Sequence, residues 1–447
     1  MLLRSVSGVR GIVGVDLTPE VAARHAAAFG SVLGGGRIVV ASDTRPTGPV
    51  IKEAAIAGLL AVGCDVIDIG VAPTPTVPLA VTHFRAAGGL AVTSSHNPIE
   101  WNALKFLGST RAVLAPAILE RVYRIADAGA FAYKRWDRIG RRSTSSEMLD
   151  VHIKSVLRLP VVDSGAIHRR KPKVVFDAGG GAALQYGPFI LQRLGCRVQR
   201  LFCESTGRFP RGPEPIPGNL NPLRTAVRRF HADLGFAVDP DSDRLAIVDE
   251  AGRPLGEERT LVLAAYWVLS QKPGPVVVNL STSQAVIDVA SAVGQRGYTS
   301  KVGELNVAMM MKAKKAVIGG EGNGGVIMPA LHPGRDALLG MALVLSLLAR
   351  ADVPISEIDA ALPRYFGAKK TLPKPGDWTL RLKRFSRHYI QEHQDTRDGI
   401  KVILADGSIH ARHSNTEPIV RIATEARTRK EANVLLKEAI GALGYRL

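Results

Sequence analysis

Short apolar runs alternate with longer, helix-like segments along most of this chain. Residues 37–41 predict a strand, and residues 50–62, rich in Ala and Leu, predict a helix. A strand at 65–69, a short helix at 77–83 and a strand at 89–93 follow. The series is led by a helix that starts at Thr18, with Pro19 at the first helical position, and ends near residue 33 before Gly34-Gly35-Gly36. Alternation of this kind builds a largely parallel sheet covered by helices.

The alternation restarts near Lys171, with strands at 173–177, 234–238 and 245–248. It restarts again near Glu257 with a long helix, a strand at 275–280, a helix at 284–293 and a strand at 316–318. The apolar run 337–349 is too short to span a bilayer and reads as a buried helix. Beyond it the character changes. Leu372-Pro373-Lys374-Pro375-Gly376 reads as a linker, strands at 399–404 and 408–412 flank the hairpin signal Ala405-Asp406-Gly407, and a helix begins near residue 430.

With 447 residues, 46% hydrophobic and 22% charged, the chain is of globular composition and long enough for three or four domains. Cys64, Cys196 and Cys203 show neither metal spacing nor an even disulfide framework, which points to a reduced, cytoplasmic setting. The net charge of +18 raises the question of nucleic acid, but the basic residues are scattered, and the denser stretches 169–171 and 381–387 are short. The expectation is no nucleic-acid partner, no membrane, and a small polyanion as ligand.

Chemistry concentrates in the loops. The strand at 89–93 runs into Ser94-Ser95-His96-Asn97-Pro98, an exposed turn at a strand end, where open α/β sheets place their ligands. Asp239, Asp241 and Asp243 alternate on another strand-end loop that closes with Arg244. Like charges this close call for a cation, and hard oxygen ligands select Mg²⁺ or a similar ion. An EF-hand fits less well, because Arg244 stands where that loop needs glycine and strands flank it. Five glycines surround Glu321 and Asn323 in the stretch 319–325, a loop able to approach a ligand closely and bind hydroxyls. Gly179-Gly180-Gly181 resembles a dinucleotide fingerprint only loosely, since Leu184 replaces its third glycine. Arg412, Ser414, Asn415, Thr416 and Arg421 form a dense anion-binding set. Near the start, Gly8-Val9-Arg10-Gly11 offers a guanidinium between glycines.

Taken together and in this order, these motifs resemble the α-D-phosphohexomutase superfamily over the whole chain. The resemblance implies an α/β protein: three similar mixed-sheet α/β domains and a smaller C-terminal α+β domain around a central cleft. Their expected spans are 1–150 (phosphoserine), 151–256 (metal), 257–367 (sugar) and 368–447 (phosphate). It implies that Ser95 carries a phosphoryl group and that Asp239, Asp241 and Asp243 hold Mg²⁺ together with it. Glu321 and Asn323 would grip the sugar. Arg412, Ser414, Asn415, Thr416 and Arg421 would dock the substrate's own phosphate. Arg10, Lys105 and His96 would lie near the reacting oxygen, and Arg244 would close the metal loop. The implied ligands are a hexose phosphate and a hexose bisphosphate intermediate, and the implied state is a monomer or homodimer.

The departures bear on specificity. Gly325 stands where many members carry a histidine, which leaves proton transfer to Lys105 or His332. Asn323 and Ala103 resemble a phosphoglucosamine mutase-like branch, whereas Asn415 is similar to phosphomannomutase and phosphoglucomutase members. The balance implies glucosamine phosphate, with glucose or mannose phosphate as the alternative. A phosphatase using Ser95 as nucleophile is the competing enzyme class.

Overall fold

The computed structural model describes residues 2–6, 8–414 and 418–445. Among them lie four sheets, the first three flanked by helices. The first has seven strands in the order Leu3–Ser5, Gly8–Ile12, Trp101–Gly108, Gly88–Val92, Gly36–Ser42, Cys64–Val71, Arg142–Thr144. The last four of these pair in parallel, and the others join antiparallel. Helix Pro19–Leu33 begins where Thr18 Oγ1 accepts from Val21 N at 3.4 Å and ends at Gly34, whose φ of 77° is left-handed. It crosses helix Gly48–Ala61 closely, because Gly58 presents no side chain to the Ala23 carbonyl. The Gly-Val-Arg-Gly stretch near the start lies in a strand, with Arg10 opposite Ala103.

The second sheet runs Leu245–Asp249, Leu234–Val238, Lys173–Asp177, Arg197–Leu201. The third runs Gly297–Ser300, Val276–Asn279, Ile318–Glu321, Gly325–Met328, His332–Arg335. One design recurs in all three. A buried strand in parallel pairing with its inner neighbour feeds a short loop, and the next strand returns antiparallel beside it. The loops that carry Ser95, the three aspartates and Asn323 all occupy that connection.

The glycine-rich stretch 319–325 is accordingly not an extended loop. Glu321 pairs with Gly325, so only Gly322-Asn323-Gly324 turn. Glycine is required in the ladder itself, since a Cβ on Gly319 would meet the Val277 carbonyl at 2.1 Å.

One apolar cluster runs from Val39 through Phe176 to Leu343, so the three α/β domains share a continuous core. Polar contacts reinforce it. His152 Nε2 and His332 Nε2 lie 2.9 and 3.0 Å from Asp336 Oδ2, and His152 Nδ1 lies 2.9 Å from Thr76 Oγ1, all of them buried. Asp336 also caps the buried helix Ala337–Ala351 through Leu338 N and Leu339 N. Among the described residues no single helix is long and apolar enough to cross a membrane.

The C-terminal sheet is antiparallel throughout, in the order Phe366–Pro373, Ile419–Ala426, Gly407–His413, Ile400–Leu404, His393–Asp395. Leu372 and Pro373 therefore belong to a strand and not to a linker. Proline is tolerated there because the strand is at the sheet edge. This domain has its own core around Phe385, Val402 and Ile422. It docks on the third domain through polar contacts: Ser281 Oγ to His410 Nδ1 at 2.9 Å, Val302 N to Asp398 Oδ2 at 3.0 Å and Gln284 N to Glu425 Oε2 at 3.0 Å.

Candidate active site

Ser95 lies just beyond strand Gly88–Val92, in a left-handed conformation (φ 48°) that serine adopts only when its surroundings impose it. They do so through Arg45. Its buried guanidinium donates to the carbonyls of Ser95 (2.7 Å), Asn97 (2.8 Å), Pro98 (2.5 Å) and Trp101 (3.0 Å). Asp43 Oδ2 pairs with Arg45 Nε at 3.1 Å and accepts from Thr93 Oγ1 at 2.6 Å, and Thr93 Oγ1 accepts from Ser95 N at 3.1 Å. No sequence motif marks Arg45 for this role. Its acceptors lie about fifty residues away, and no local pattern marks them.

Ser95 Oγ donates to Asp239 Oδ2 at 2.8 Å, so the serine loop and the aspartate loop meet. Asp239, Asp241 and Asp243 are buried, and one oxygen from each falls within 4.8 Å of the other two. Burial, with repulsion from Asp243 and Asp241, pushes Asp239 well above the usual carboxylate range. Burial also acts on Asp241, but the Lys105 charge and hydrogen bonds from Asp239, Lys105 and Thr74 outweigh it and hold that group below the range. Lys105 Nζ lies 2.6 Å from Asp241 Oδ2, and Thr74 Oγ1 donates to the same oxygen at 2.9 Å. Burial would lower the Lys105 pKa, yet Asp241 and Asp243 keep it above the ordinary lysine value. The triad fits a hard divalent cation. Asp241 Oδ1 and Asp243 Oδ1 are buried without a hydrogen-bond partner, which is the donor state a cation satisfies.

The glycine run 179–181 backs this loop rather than a dinucleotide. Ala182 N donates to the Pro240 carbonyl at 2.7 Å, and a Cβ on Gly181 would strike Pro240 Cα at 2.5 Å. Arg244 donates through its backbone N to Asp239 Oδ1 (3.1 Å) and through its side chain to His96 Nδ1 (2.9 Å) and Glu214 Oε1 (2.9 Å). Burial and then the Arg244 charge push His96 down to about 3, so its ring is neutral. Ser95 Oγ lies 3.4 Å from the same Nδ1. Arg10 NH1 donates to Asn97 Oδ1 at 3.3 Å and lines the cleft beside Ser95.

Glu321 ends strand Ile318–Glu321 and is anchored on both oxygens. Oε1 accepts from Asn279 Nδ2 (2.8 Å) and Gly303 N (3.1 Å), and Oε2 accepts from Arg335 (3.0 Å). Asn323 Oδ1 accepts from Gly325 N at 3.2 Å and sets the turn. Both residues face the cleft. His332, the other residue considered for proton transfer, has both ring nitrogens engaged: Nδ1 accepts from Gly334 N at 3.1 Å, and Nε2 meets Asp336.

In the C-terminal sheet Arg412 stands directly opposite Arg421. Like charges paired across strands are unfavourable without an anion between them. Burial, aided by Arg421, lowers the Arg412 pKa against the opposing pull of Asp398. Ser414 N donates to the Ile419 carbonyl at 2.9 Å, and Asn415 and Thr416 lie outside the described residues. The space around Ser95 (about 320 Å³) and the space beside Arg412 (about 310 Å³) share Glu321, Asn323 and Arg421 as walls. One cleft thus leads from the serine and the carboxylate triad, past Glu321 and Asn323, to the paired arginines.

Three α/β domains and one α+β domain closed around such a cleft define a hexose-phosphate mutase type of isomerase. The chain matches the four domain models of the phosphoglucomutase/phosphomannomutase family: α/β/α domain I over residues 1–133, domain II over 150–252, domain III over 256–366 and the C-terminal domain over 349–442. It is 37% identical over 439 residues to a probable phosphoglucosamine mutase of Methanopyrus kandleri, covering 97% of this chain and 96% of that one. It is also 37% identical over 448 residues to a phosphoglucomutase/phosphomannomutase of Thermococcus kodakarensis, covering 98% and 97%. A solved phosphoglucomutase/phosphomannomutase family protein from Burkholderia thailandensis superposes with a TM-score of 0.87 at 27% identity over the full length of both chains. The chain belongs to the phosphoglucomutase/phosphomannomutase family of α-D-phosphohexomutases and is phosphoglucosamine mutase-like.

Proposed function

We propose that this enzyme moves a phosphoryl group between the 6 and 1 positions of a hexose phosphate, through phosphorylated Ser95 and a hexose 1,6-bisphosphate, and that its substrate is glucosamine 6-phosphate. The observation that carries the reading is the single cleft with Ser95 over the carboxylate triad at one end and Arg412 opposite Arg421 at the other. A donor and an anion dock separated by a hydroxyl-binding loop suit a molecule carrying phosphate at one end and a free hydroxyl at the other.

Phosphoryl transfer depends on positioning and charge neutralisation more than on new covalent chemistry. A Mg²⁺ ion held by Asp239, Asp241, Asp243 and the Ser95 phosphate would draw charge from the phosphoryl group. Arg412, Arg421 and Ser414, with Asn415 and Thr416, hold the far phosphate, while Glu321 and Asn323 fix the ring. The bond from phosphorus to Ser95 Oγ breaks as the bond to the sugar oxygen forms. The Lys105 ammonium gives Ser95 Oγ its proton on departure, and the amine so formed takes up the proton that the sugar hydroxyl loses. Lys105 suits this role better than His332, whose ring nitrogens are both committed. Arg10 and the neutral His96 orient the serine loop, and Arg244 ties His96 to the aspartate loop. The bisphosphate then turns over, and Ser95 recovers the other phosphate.

Glucose and mannose phosphates are the second reading, supported by the equal identity to the Thermococcus kodakarensis phosphoglucomutase/phosphomannomutase. Rates with glucosamine, glucose and mannose 1-phosphates, each primed with a trace of its bisphosphate, test the proposal. The glucosamine compound should be turned over fastest, and intact-protein mass should show one phosphate on Ser95. Net release of inorganic phosphate without isomerisation would replace the mutase with a phosphatase.

A further inference from the structure

Arg335 has no part in the reading of the sequence motifs, yet it lies where the site's charges converge. It ends strand His332–Arg335, beside strand Gly325–Met328 in the third sheet. Its NH2 lies 2.5 Å from Asp243 Oδ2, its NH1 lies 3.0 Å from Glu321 Oε2, and its Nε lies 3.4 Å from Glu304 Oε2. One guanidinium therefore joins the aspartate loop of the second domain to the sugar loop of the third. The side chain is 10% exposed and held from three directions. Its aliphatic stem fills the space beside Gly325, where an added Cβ would meet Arg335 Cδ at 2.2 Å and Cγ at 2.8 Å. Gly325 does not have the positive φ that demands glycine. What excludes a side chain there is the arginine stem, pinned by its ion pairs.

We propose that Arg335 is a positioning residue for the cation site and couples it to the sugar loop, and that Gly325 is glycine to admit it. By holding Asp243 Oδ2, the fork leaves Oδ1, buried without a hydrogen-bond partner and 3.7 Å from Arg244 Nε, as the oxygen available to a cation shared with Asp239 and Asp241. By holding Glu321 Oε2, it fixes the sugar-binding carboxylate relative to that cation. The inference rests on the assignment of Asp239, Asp241 and Asp243 as cation ligands made above.

Arg335→Lys keeps the charge but loses the planar fork, since one ammonium cannot reproduce two divergent N–H bonds. Titration of Mn²⁺ into the full-length protein, followed by the EPR signal of free ion, reads binding without turnover. Loss of an outer partner of a metal ligand weakens binding by about 10- to 100-fold, and that loss is expected for R335K. Gly325→Ala should also weaken binding by displacing the stem, but should add little on an R335A background, where the space is already empty. Melting curves show that each variant is folded, and G325A serves if R335K is not. Wild-type Mn²⁺ affinity in folded R335K, or additive effects of G325A and R335A, would overturn the proposal. If the Mn²⁺ results hold but no hexose phosphate is isomerised, the assigned reaction fails and the role of Arg335 stands.

Discussion

Arg45→Met removes the support of the serine loop while keeping most of the side-chain volume. In the native protein the guanidinium is fully buried, donates to the carbonyls of Ser95, Asn97, Pro98 and Trp101, and pairs with Asp43. It also stacks on Phe209 at 4.9 Å. Removing one partner of a buried ion pair costs about 3–5 kcal/mol. Each orphaned carbonyl adds a gross cost of about 1–3 kcal/mol. Summed over the loop, this approaches a whole domain's stability of about 5–15 kcal/mol. The loop therefore opens to water instead of bearing the full sum, and the net loss settles near 4 kcal/mol. For a domain of about 150–250 residues this lowers the melting temperature by about 8–16 °C. The consequence for chemistry follows from Ser95. Its left-handed backbone is held by Arg45 and Thr93, so an opened loop moves Oγ off Asp239. A displacement of about 1 Å costs about 10²-fold in rate.

Calorimetry gives the melting shift, and kcat at saturating phosphosugar, measured below the melting range, gives the chemical cost. Asp43→Asn is the control. Burial pushes the Asp43 pKa up against the pull of Arg45, and an amide keeps its shape while leaving Arg45 its carbonyl acceptors. The Asn variant removes the counter-charge but spares the four carbonyl bonds, so it should lose less than R45M, about 3 kcal/mol. An R45M protein that melts and turns over like wild type, or a D43N protein more damaged than R45M, would refute this account of the loop.

Ser95→Ala should carry no phosphate by intact mass and lose mutase activity by at least about 10³-fold, and retained isomerisation would disprove the phosphoserine route. Asp241→Asn leaves Lys105 without its counter-ion at 2.6 Å and removes a triad oxygen, so Mg²⁺-dependent turnover should fall by at least about 10²-fold; a normal Mg²⁺ titration would count against the triad. Inorganic phosphate should raise the melting temperature of wild type by separating Arg412 from Arg421, and Arg412→Gln should lose most of that rise and increase KM for phosphosugar about tenfold. His410 is buried at the contact with Ser281, and burial pushes it down to about 4 from 6.5. A depressed histidine stabilises the fold above its unfolded pKa, and that contribution is lost as pH falls from about 6.5 through about 4, by up to about 3 kcal/mol. His410→Gln should flatten this part of the stability curve, and identical wild-type and variant curves between pH 7 and pH 4 would remove His410 as the cause.

What the sequence made legible was whatever is contiguous in the chain. The serine loop and the aspartate triad each lie within a few residues, so charge and turn chemistry marked them directly. The six elements expected between residues 18 and 93 fall within two residues of their expected bounds, because continuous apolar runs bounded by turn residues mark them. Misreadings arose where distant neighbours decide the local state. The run 319–325 is rich in glycine because strand Ile318–Glu321 packs against the Val277 carbonyl and Gly325 against Arg335, not because the backbone is loose. Leu372-Pro373 has linker composition but pairs with Val420 and Ile419 at a sheet edge. Arg45 and Arg335 carry no motif, yet each organises a loop whose own motif was plain. The difference is physical. A side chain that touches ligand is selected for its chemistry and recurs in recognisable company. A side chain that holds a loop from below needs only charge, length and a buried approach, and those are set by the register of strands far away in the chain. The triad's geometry thus depends on Arg335 and Ser95's on Arg45, so motif residues grafted without these two arginines would reproduce the sequence of the site without its distances.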